Sequence, residues 1–208
     1  MFFLATIGRH GSRTLTNSGP ETRALSVWTA AAKKGKVRSL GQRFDNDVKA
    51  FRKVESTIGY GELSDAGKTE WSGIGRRTAV NYKTFVAKAV TDGDTVAFRT
   101  TSVHRTIQSA SAMRASLTAA NASLQYADRV TDNARLLLTS GASKNGNAAI
   151  AKALKASNVR TAANDVLHRI YSQSYINPLS DPVSKALDIY RLYNTAPGLA
   201  GQTTLTFA

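Results

Sequence analysis

Two apolar stretches predict β-strands, and each is followed by polar residues and then by a helical pattern. Residues 1–7, MFFLATI, form an apolar run that is typical of a buried strand in a parallel sheet. Residues 95–102, TVAFRTTS, indicate a second strand, and residues 103–120 indicate the helix after it. This order of elements predicts an α/β sheet flanked by helices, with functional groups at the carboxyl ends of its strands.

A long amphipathic helix is predicted between the two strands. Ser64 or Asp65 can cap it, and its apolar face consists of Trp71, Ile74, Tyr82, Phe85, Val86 and Ala89. Three glycines, Gly67, Gly73 and Gly75, each destabilise such a helix by about 1 kcal/mol relative to alanine. Close packing against a strand or a ligand-binding loop would explain why glycine occupies these positions.

The strand pattern fades beyond about residue 130, and the apolar spacing becomes helical. The last helix has a clear start, with Asp181 as cap and Pro182 at the first helical position. The pattern therefore predicts an α/β core at residues 1–128 and a mainly helical region at 129–208. Two strands do not form a stable, doubly covered sheet, so we expect further strands within residues 17–60 or outside this chain.

Composition narrows the possible functions only in part. Hydrophobic residues make up 42% and charged residues 20% of the chain, an ordinary globular balance. There is no cysteine, which excludes disulfides and thiolate catalysis. The net charge of +14 favours nucleic acid, a membrane surface or phosphorylated small molecules as partners. No apolar run approaches the roughly 20 residues of a membrane-spanning helix, and residues 1–7 lack the features of a signal peptide.

The polar cluster IGRHGSRTLT, residues 7–16, carries the chemistry of this sequence. It places arginines on both sides of His10, and Arg105 lies one turn into the helix after the second strand. If the two strands are neighbours, these groups converge on one pocket that can bind a phosphate dianion. Nearby positive charge would keep the imidazole neutral and able to attack phosphorus. Taken alone, the Arg-His-Gly tripeptide could equally be a surface turn, and Arg105 a solvated helix residue.

Four segments together resemble the histidine acid phosphatases, the branch of the histidine phosphatase superfamily that includes phytases. They occur in the family's order and are RHGSRTLT (9–16), LSDAGKTEWSGIGRR (63–77), FRTTSVHRTIQSASAM (98–113) and ALDIYRLYNTAPGLAG (186–201). The last is similar to the multiple inositol polyphosphate phosphatase subgroup. The resemblance implies an α/β domain with a largely helical cap, no metal or organic cofactor, and export to the periplasm or outside the cell.

The resemblance also implies the roles of individual residues. His10 would be the nucleophile that carries the phosphoryl group, and the arginines Arg9, Arg13 and Arg105 would hold the phosphate. Thr16 matches a position that often adds a hydroxyl to the same phosphate. Leu15 stands where the family usually has proline, which we interpret as a change of loop geometry.

One part of the family pattern is missing from this chain. The family takes its general acid and a second histidine from a late His-Asp or His-Ala-Glu motif, and neither motif is present. His168 lies off the apolar face of a predicted helix, which indicates an exposed helix histidine, and His104 is interpreted as a neighbour of the pocket. We therefore expect these residues to be the N-terminal half of such an enzyme, ending within the cap and with an incomplete sheet.

The sequence predicts a phosphomonoester hydrolase that works through a phosphohistidine, with phytate or another inositol polyphosphate as substrate. Its partner would be a phosphorylated small molecule and not a nucleic acid or a membrane. One alternative is a phosphate-binding fragment of such an enzyme with weak or no turnover. Another is a nucleic-acid binder, which rests on the charge alone and would show steeply salt-dependent binding.

Overall fold

The computed structural model describes residues 3–131, 144–199 and 201. The chain divides into two compact units, Met1–Thr14 with Gly61–Leu137, and Leu15–Tyr60 with Leu138–Ala208. The sequence pattern places the division after residue 128 instead. Residues 15–60 join the C-terminal segment because their two helices pack against helices of that segment.

The first unit contains a small parallel sheet. Its strands are β1 (Thr95–Val96), β2 (Arg99–Thr101), β3 (Gln125–Tyr126) and β4 (Arg129–Thr131). Strand β1 pairs with β3 and β2 with β4, in register, so that the segment around residues 95–101 runs alongside residues 125–131. Strands and helices thus alternate as in an α/β fold, which the sequence predicts.

The strand predicted at the start of the chain is wrong for residues 3–7. Those residues have no strand conformation, and Phe3 and Ile7 are 86% and 99% exposed. A strand needs a neighbour that completes its hydrogen-bond ladder, and no described strand pairs with this segment. Apolar composition alone therefore gave a false strand here.

In its described part the first unit also contains three helices, α3 (Asp65–Asn81), α4 (Lys83–Asp92) and α5 (His104–Ala120). Ser64 caps α3 by accepting a hydrogen bond from the Gly67 amide at 3.2 Å. A side chain at Gly75 would lie 2.6 Å from the Met113 carbonyl, so glycine is what lets α3 and α5 pack closely. Their shared core consists of Ala79, Met113, Leu117 and Leu124.

The second unit is helical in its described part. Its helices are α1 (Gly19–Lys33), α2 (Gly41–Ile58), α6 (Lys144–Ala153), α7 (Ser157–Ile170), α8 (Gln173–Ile176) and α9 (Pro182–Thr195), followed by a 3-10 turn at Ala196–Leu199. Phe51, Leu167, Tyr171 and Leu192 are fully buried in its core. Residues 17–60 form helices, so the further strands expected there are not found.

Polar contacts fix the last helix of the second unit. Asp181 accepts a hydrogen bond from the Ser184 amide, which confirms the predicted cap of α9. Asp188 on the same helix is buried and accepts a bidentate pair of hydrogen bonds from Arg23 and a third hydrogen bond from Arg191.

Among the described residues, no helix is both long and apolar enough to cross a membrane.

Candidate active site

The loop at residues 9–14 is held in place by backbone contacts with the segment before α3. The Ser12 carbonyl accepts hydrogen bonds from the Ser64 amide at 3.0 Å and the Ser64 hydroxyl at 3.1 Å. The Thr14 amide donates to the Glu62 carbonyl at 3.0 Å, and the Glu62 amide donates to the Thr14 hydroxyl at 3.0 Å. The loop and the segment before α3, which are distant in sequence, are therefore held together by hydrogen bonds on either side of Arg13.

Two glycines allow this loop to approach α3. A Cβ at Gly11 would lie 2.5 Å from the Gly67 carbonyl oxygen, and a Cβ at Gly67 would lie 2.1 Å from the Ser12 carbonyl oxygen. Both distances are too short for any side chain. Gly67 thus has the close-packing role that the sequence predicts, against a loop that carries candidate site residues.

We expect Gly67→Ala to destabilise the protein by about 3 kcal/mol, because the new methyl group would overlap backbone atoms that cannot move independently. Urea unfolding followed by circular dichroism measures this change. Gly73→Ala on the same helix is the matched control, because its Cβ would meet only the flexible end of Arg77 at 3.1 Å. Gly73→Ala should be neutral or stabilise by up to about 1 kcal/mol, and equal effects of the two substitutions would contradict the packing argument.

Side chains from α3 and α5 add further anchors that sequence reasoning missed. Glu70 accepts hydrogen bonds from the Ser12 amide at 2.8 Å and the Ser12 hydroxyl at 2.6 Å. Buried Ser109 accepts from the Gly11 amide at 3.1 Å, and Gln108 accepts from the Leu63 amide at 3.0 Å. These residues lie within the segments that carry the family resemblance. Their spacing in the sequence does not show which groups they would form hydrogen bonds with.

His10 is oriented by a hydrogen bond within the loop. Its Nδ1 lies 2.8 Å from the Gly11 carbonyl oxygen. Because a carbonyl can only accept, Nδ1 carries the proton, and in the neutral ring Nε2 holds the lone pair. The geometry thus selects the tautomer in which Nε2 can act as nucleophile.

The pKa of His10 lies below its ordinary value. Burial, which disfavours the charged ring, is the largest cause, and the hydrogen bond to Gly11 opposes it. The positive charges of Arg105, Arg13 and Arg9 lower the pKa further, in that order. The sequence argument also predicted a lowered pKa for His10. It attributed the lowering to the nearby arginines, whereas burial is the larger cause.

The structure brings three of the predicted phosphate-binding residues to His10. Arg9 is exposed, whereas Arg13 and Arg105 are half-buried. The Arg105 Nε is buried and has no hydrogen-bond partner in the part of the chain that the structure describes. Thr16 is exposed and belongs to the second unit, so its predicted contact with the phosphate stays a prediction.

The arrangement can bind an anion and hold a nucleophile beside it. Guanidinium groups donate paired hydrogen bonds to phosphate oxygens, and an unpartnered buried Nε is a donor available to a ligand. Helix α5 begins directly before Arg105 and has no acidic residue in its first turn. Its N-terminal dipole therefore adds to the attraction for a phosphate.

We expect the His10 ring to titrate at a lower pH than histidine in a flexible peptide. As the pH falls through the folded-state pKa, the ring becomes charged, and the stability that the neutral ring provides is lost. NMR of the ring protons measures this pKa directly. The chain has three histidines, and the signal missing from a His10→Ala spectrum assigns the resonance. A His10 pKa at or above the peptide value would contradict the burial described above.

The other two histidines have other partners. His104 Nδ1 lies 2.5 Å from a Glu62 carboxylate oxygen. His168 is exposed on α7, where it contacts Arg38, which confirms its interpretation as an exposed helix histidine. Among the residues that the structure describes, no cluster of three or more His, Asp or Glu side chains is arranged to hold a metal ion.

The first unit is thus an α/β unit that carries an arginine-rich loop around a histidine. The family model described as histidine phosphatase superfamily (branch 2) matches residues 1–207. The chain therefore belongs to branch 2 of the histidine phosphatase superfamily, and the resemblance drawn from its motifs is confirmed. No curated protein shows significant similarity to the chain.

Solved structures of similar fold come from the multiple inositol polyphosphate phosphatase of Bifidobacterium longum. Its phosphate complex matches with a TM-score of 0.77 at 16% identity, covering 95% of this chain and 55% of that one. The inositol hexasulfate complex gives 0.75 at 15% identity with 95% and 56% covered, and the apo form gives 0.77 at 17% with 95% and 55% covered. At this identity the likeness shows the fold, and the chain spans little more than half the length of these structures.

Proposed function

We propose that this protein is a phosphomonoester hydrolase in which His10 carries the phosphoryl group and Arg9, Arg13 and Arg105 bind the phosphate. The observation that carries the proposal is the environment of His10. Its Nδ1–H is bound to the Gly11 carbonyl, and three arginine charges act on the ring. Membership of the histidine phosphatase superfamily supports the same activity.

The reaction would proceed in two displacements at phosphorus. His10 Nε2 forms a bond to phosphorus while the bond to the ester oxygen breaks, and the leaving oxygen takes up a proton. The arginines neutralise the charge on the three equatorial oxygens in the transition state. A water molecule then forms the new bond to phosphorus as the bond to Nε2 breaks, which releases phosphate and restores the neutral ring.

The proton for the leaving oxygen requires a general acid. Two carboxylates whose residues contact the loop are already engaged, Glu70 with Ser12 and Glu62 with His104. We assign the acid to neither of them. This favours one second candidate function, in which the chain as given binds phosphate but turns it over weakly or not at all.

An inositol polyphosphate such as phytate is the substrate that we propose. The net charge of +14 favours a polyanion. The Bifidobacterium enzyme of similar fold is a multiple inositol polyphosphate phosphatase, solved with phosphate and with inositol hexasulfate. We extend its substrate class to this chain, together with a secreted or periplasmic location, on the family resemblance.

A phosphate-release assay near pH 5 tests the proposal, with phytate and an aryl phosphate as substrates and isothermal calorimetry of inorganic phosphate beside it. Release from both substrates supports the hydrolase. Phosphate binding without release supports the non-catalytic alternative. A chain that binds no phosphate but binds DNA in a salt-dependent manner would contradict both.

A further inference from the structure

We propose that Glu70 is a positioning residue for His10, acting through the peptide group that joins Gly11 to Ser12. That peptide group donates its N–H to Glu70 and accepts the His10 ring proton with its C=O. The inference rests on the proposed function, because it gives Glu70 a part in preparing His10 Nε2 as the nucleophile. Glu70 would act on the attacking ring and not on the substrate.

The geometry of a single peptide group links the two side chains. A trans peptide group is planar, so its N–H and its C=O point in opposite directions, and no cis peptide bond occurs in the described residues. The Ser12 N–H donates to Glu70 Oε2 at 2.8 Å, and the Gly11 oxygen of the same group lies 2.8 Å from His10 Nδ1. Holding the N–H at Glu70 therefore fixes the direction of the carbonyl that receives the His10 proton.

The Glu70 carboxylate is itself directed at this loop. Oε2 accepts from the Ser12 amide, and Oε1 accepts from the Ser12 hydroxyl at 2.6 Å, so each oxygen has a donor on the same residue. The residues one turn away from Glu70 on α3 carry no charge: Ala66, Gly67, Gly73 and Ile74. Helix α3 thus offers the carboxylate no ion pair at the usual spacing, and the two bonds to Ser12 orient it.

This arrangement favours one tautomer of the His10 ring. Hydrogen bonds in a chain polarise one another, so donation from the Ser12 N–H to a carboxylate makes the Gly11 oxygen a stronger acceptor. A stronger acceptor at Nδ1–H keeps the proton on Nδ1 and the lone pair on Nε2. In the Ser-His-Asp triad an aspartate fixes the tautomer of the histidine directly, whereas here a peptide group lies between the carboxylate and the ring.

The preceding peptide group of the loop is held by a different helix. The Gly11 amide donates to Ser109 on α5 at 3.1 Å, and the Ser109 hydroxyl donates to the Arg105 carbonyl at 2.8 Å. Ser109 is buried, with 3% of its surface exposed, whereas Glu70 is exposed. Replacing Glu70 therefore leaves the buried anchor of the loop in place and opens no cavity, which makes its role separable from that of Ser109.

Nitrogen NMR of the His10 ring in the 208-residue chain tests the inference without requiring turnover. At about pH 8, where histidine is generally neutral, we expect the wild-type ring to be mainly the Nδ1–H tautomer. Glu70→Ala should shift the tautomer ratio at least about threefold towards Nε2–H, because the carbonyl loses its orienting partner. Glu70→Gln should keep most of the wild-type ratio, since its amide oxygen still accepts from the Ser12 N–H.

Asp92→Asn is the matched control for the loss of one negative charge. Asp92 lies on α4 and pairs with Lys88, so the substitution removes the same charge as Glu70→Gln at a side chain bound to another partner. The tautomer ratio of His10 should not change in this variant. A shift as large as that of Glu70→Ala would show that net charge, and not the peptide group, controls the ring and would overturn the inference.

The pKa of His10 separates positioning from a general loosening of the loop. The hydrogen bond to Gly11 raises this pKa, whereas burial and the charges of Arg105, Arg13 and Arg9 lower it. A weaker bond to Gly11 alone therefore lowers the pKa further. A loosened loop would expose the ring and move it away from the arginines, which raises the pKa. We expect a decrease in Glu70→Ala, and an increase would overturn the positioning role.

Turnover of an aryl phosphate gives a separate readout. Glu70→Ala should lower kcat by about tenfold and change KM less than about twofold, because the arginines that bind phosphate remain. An unchanged tautomer ratio in Glu70→Ala would overturn the inference, as would a wild-type ring that releases phosphate while mainly in the Nε2–H form; the proposed function would stand in both cases. The expected tautomer shift in a chain that releases no phosphate would support the role of Glu70 and count against the hydrolase alone.

Discussion

His10→Ala is expected to reduce phosphate release from phytate by at least about 1,000-fold, the loss typical of removing a covalent nucleophile. Alanine has no lone pair that can attack phosphorus, and the arginines that remain can only bind the substrate. Initial rates at saturating substrate measure the effect. Binding of inorganic phosphate should persist in the variant, because the guanidinium groups and the α5 terminus are unchanged.

The phosphorylated intermediate gives a second readout of the same substitution. Rapid quenching in alkali with labelled substrate should trap label on the wild-type protein. The label should be stable in alkali and lost in acid, as expected for a phosphorus–nitrogen bond. The His10→Ala variant should trap none. His168→Ala is the control for the loss of a histidine. Full turnover by His10→Ala, or label retained on it, would show that another residue is the nucleophile.

Much of the candidate site could be predicted because its residues lie close together in sequence. Arg9, His10 and Arg13 fall within five residues, so any loop conformation keeps them near one another. Arg105 was predicted through the order of elements, as the first turn of a helix that follows a strand. The structure shows the charge of Arg105 acting on His10. The strand that we predicted at residues 1–7, as the element that brings Arg105 and His10 together, is not present at the described residues 3–7.

The supporting contacts could not be predicted, because they depend on pairings between distant segments. Glu70 reads as an ordinary helix surface residue, and only the folded chain shows it bound to Ser12. Strands β3 and β4 were missed for a related reason. They are two and three residues long and contain polar residues such as Gln125 and Arg129, so their pairing with β1 and β2 defines them more than their composition does.

Arg105→Ala is expected to weaken the binding of inorganic phosphate by about 100-fold, the value of a bidentate charged hydrogen bond with partial burial. Calorimetry at low ionic strength measures the dissociation constant. The same substitution should raise the pKa of His10, because the Arg105 charge is one of the groups that lower it. The increase should be incomplete, since burial remains. NMR titration of the ring therefore separates loss of a nearby charge from a general loosening of the structure.

Two further variants decide whether Arg105 acts through its position and its shape. Arg114→Ala removes an arginine from the same helix, where it pairs with Asp128 and lies over the Tyr126 ring, and should leave phosphate affinity within about twofold, as for a distant surface charge. Arg105→Lys keeps the charge but loses the planar fork, so an intermediate loss of about tenfold is expected. Equal losses in Arg105→Ala and Arg114→Ala would show that phosphate responds only to the net positive charge of the chain. A specific loss at Arg105 would instead mean that this half-buried guanidinium, held beside His10 by the start of α5, is what turns a strongly basic protein into one with a defined phosphate site.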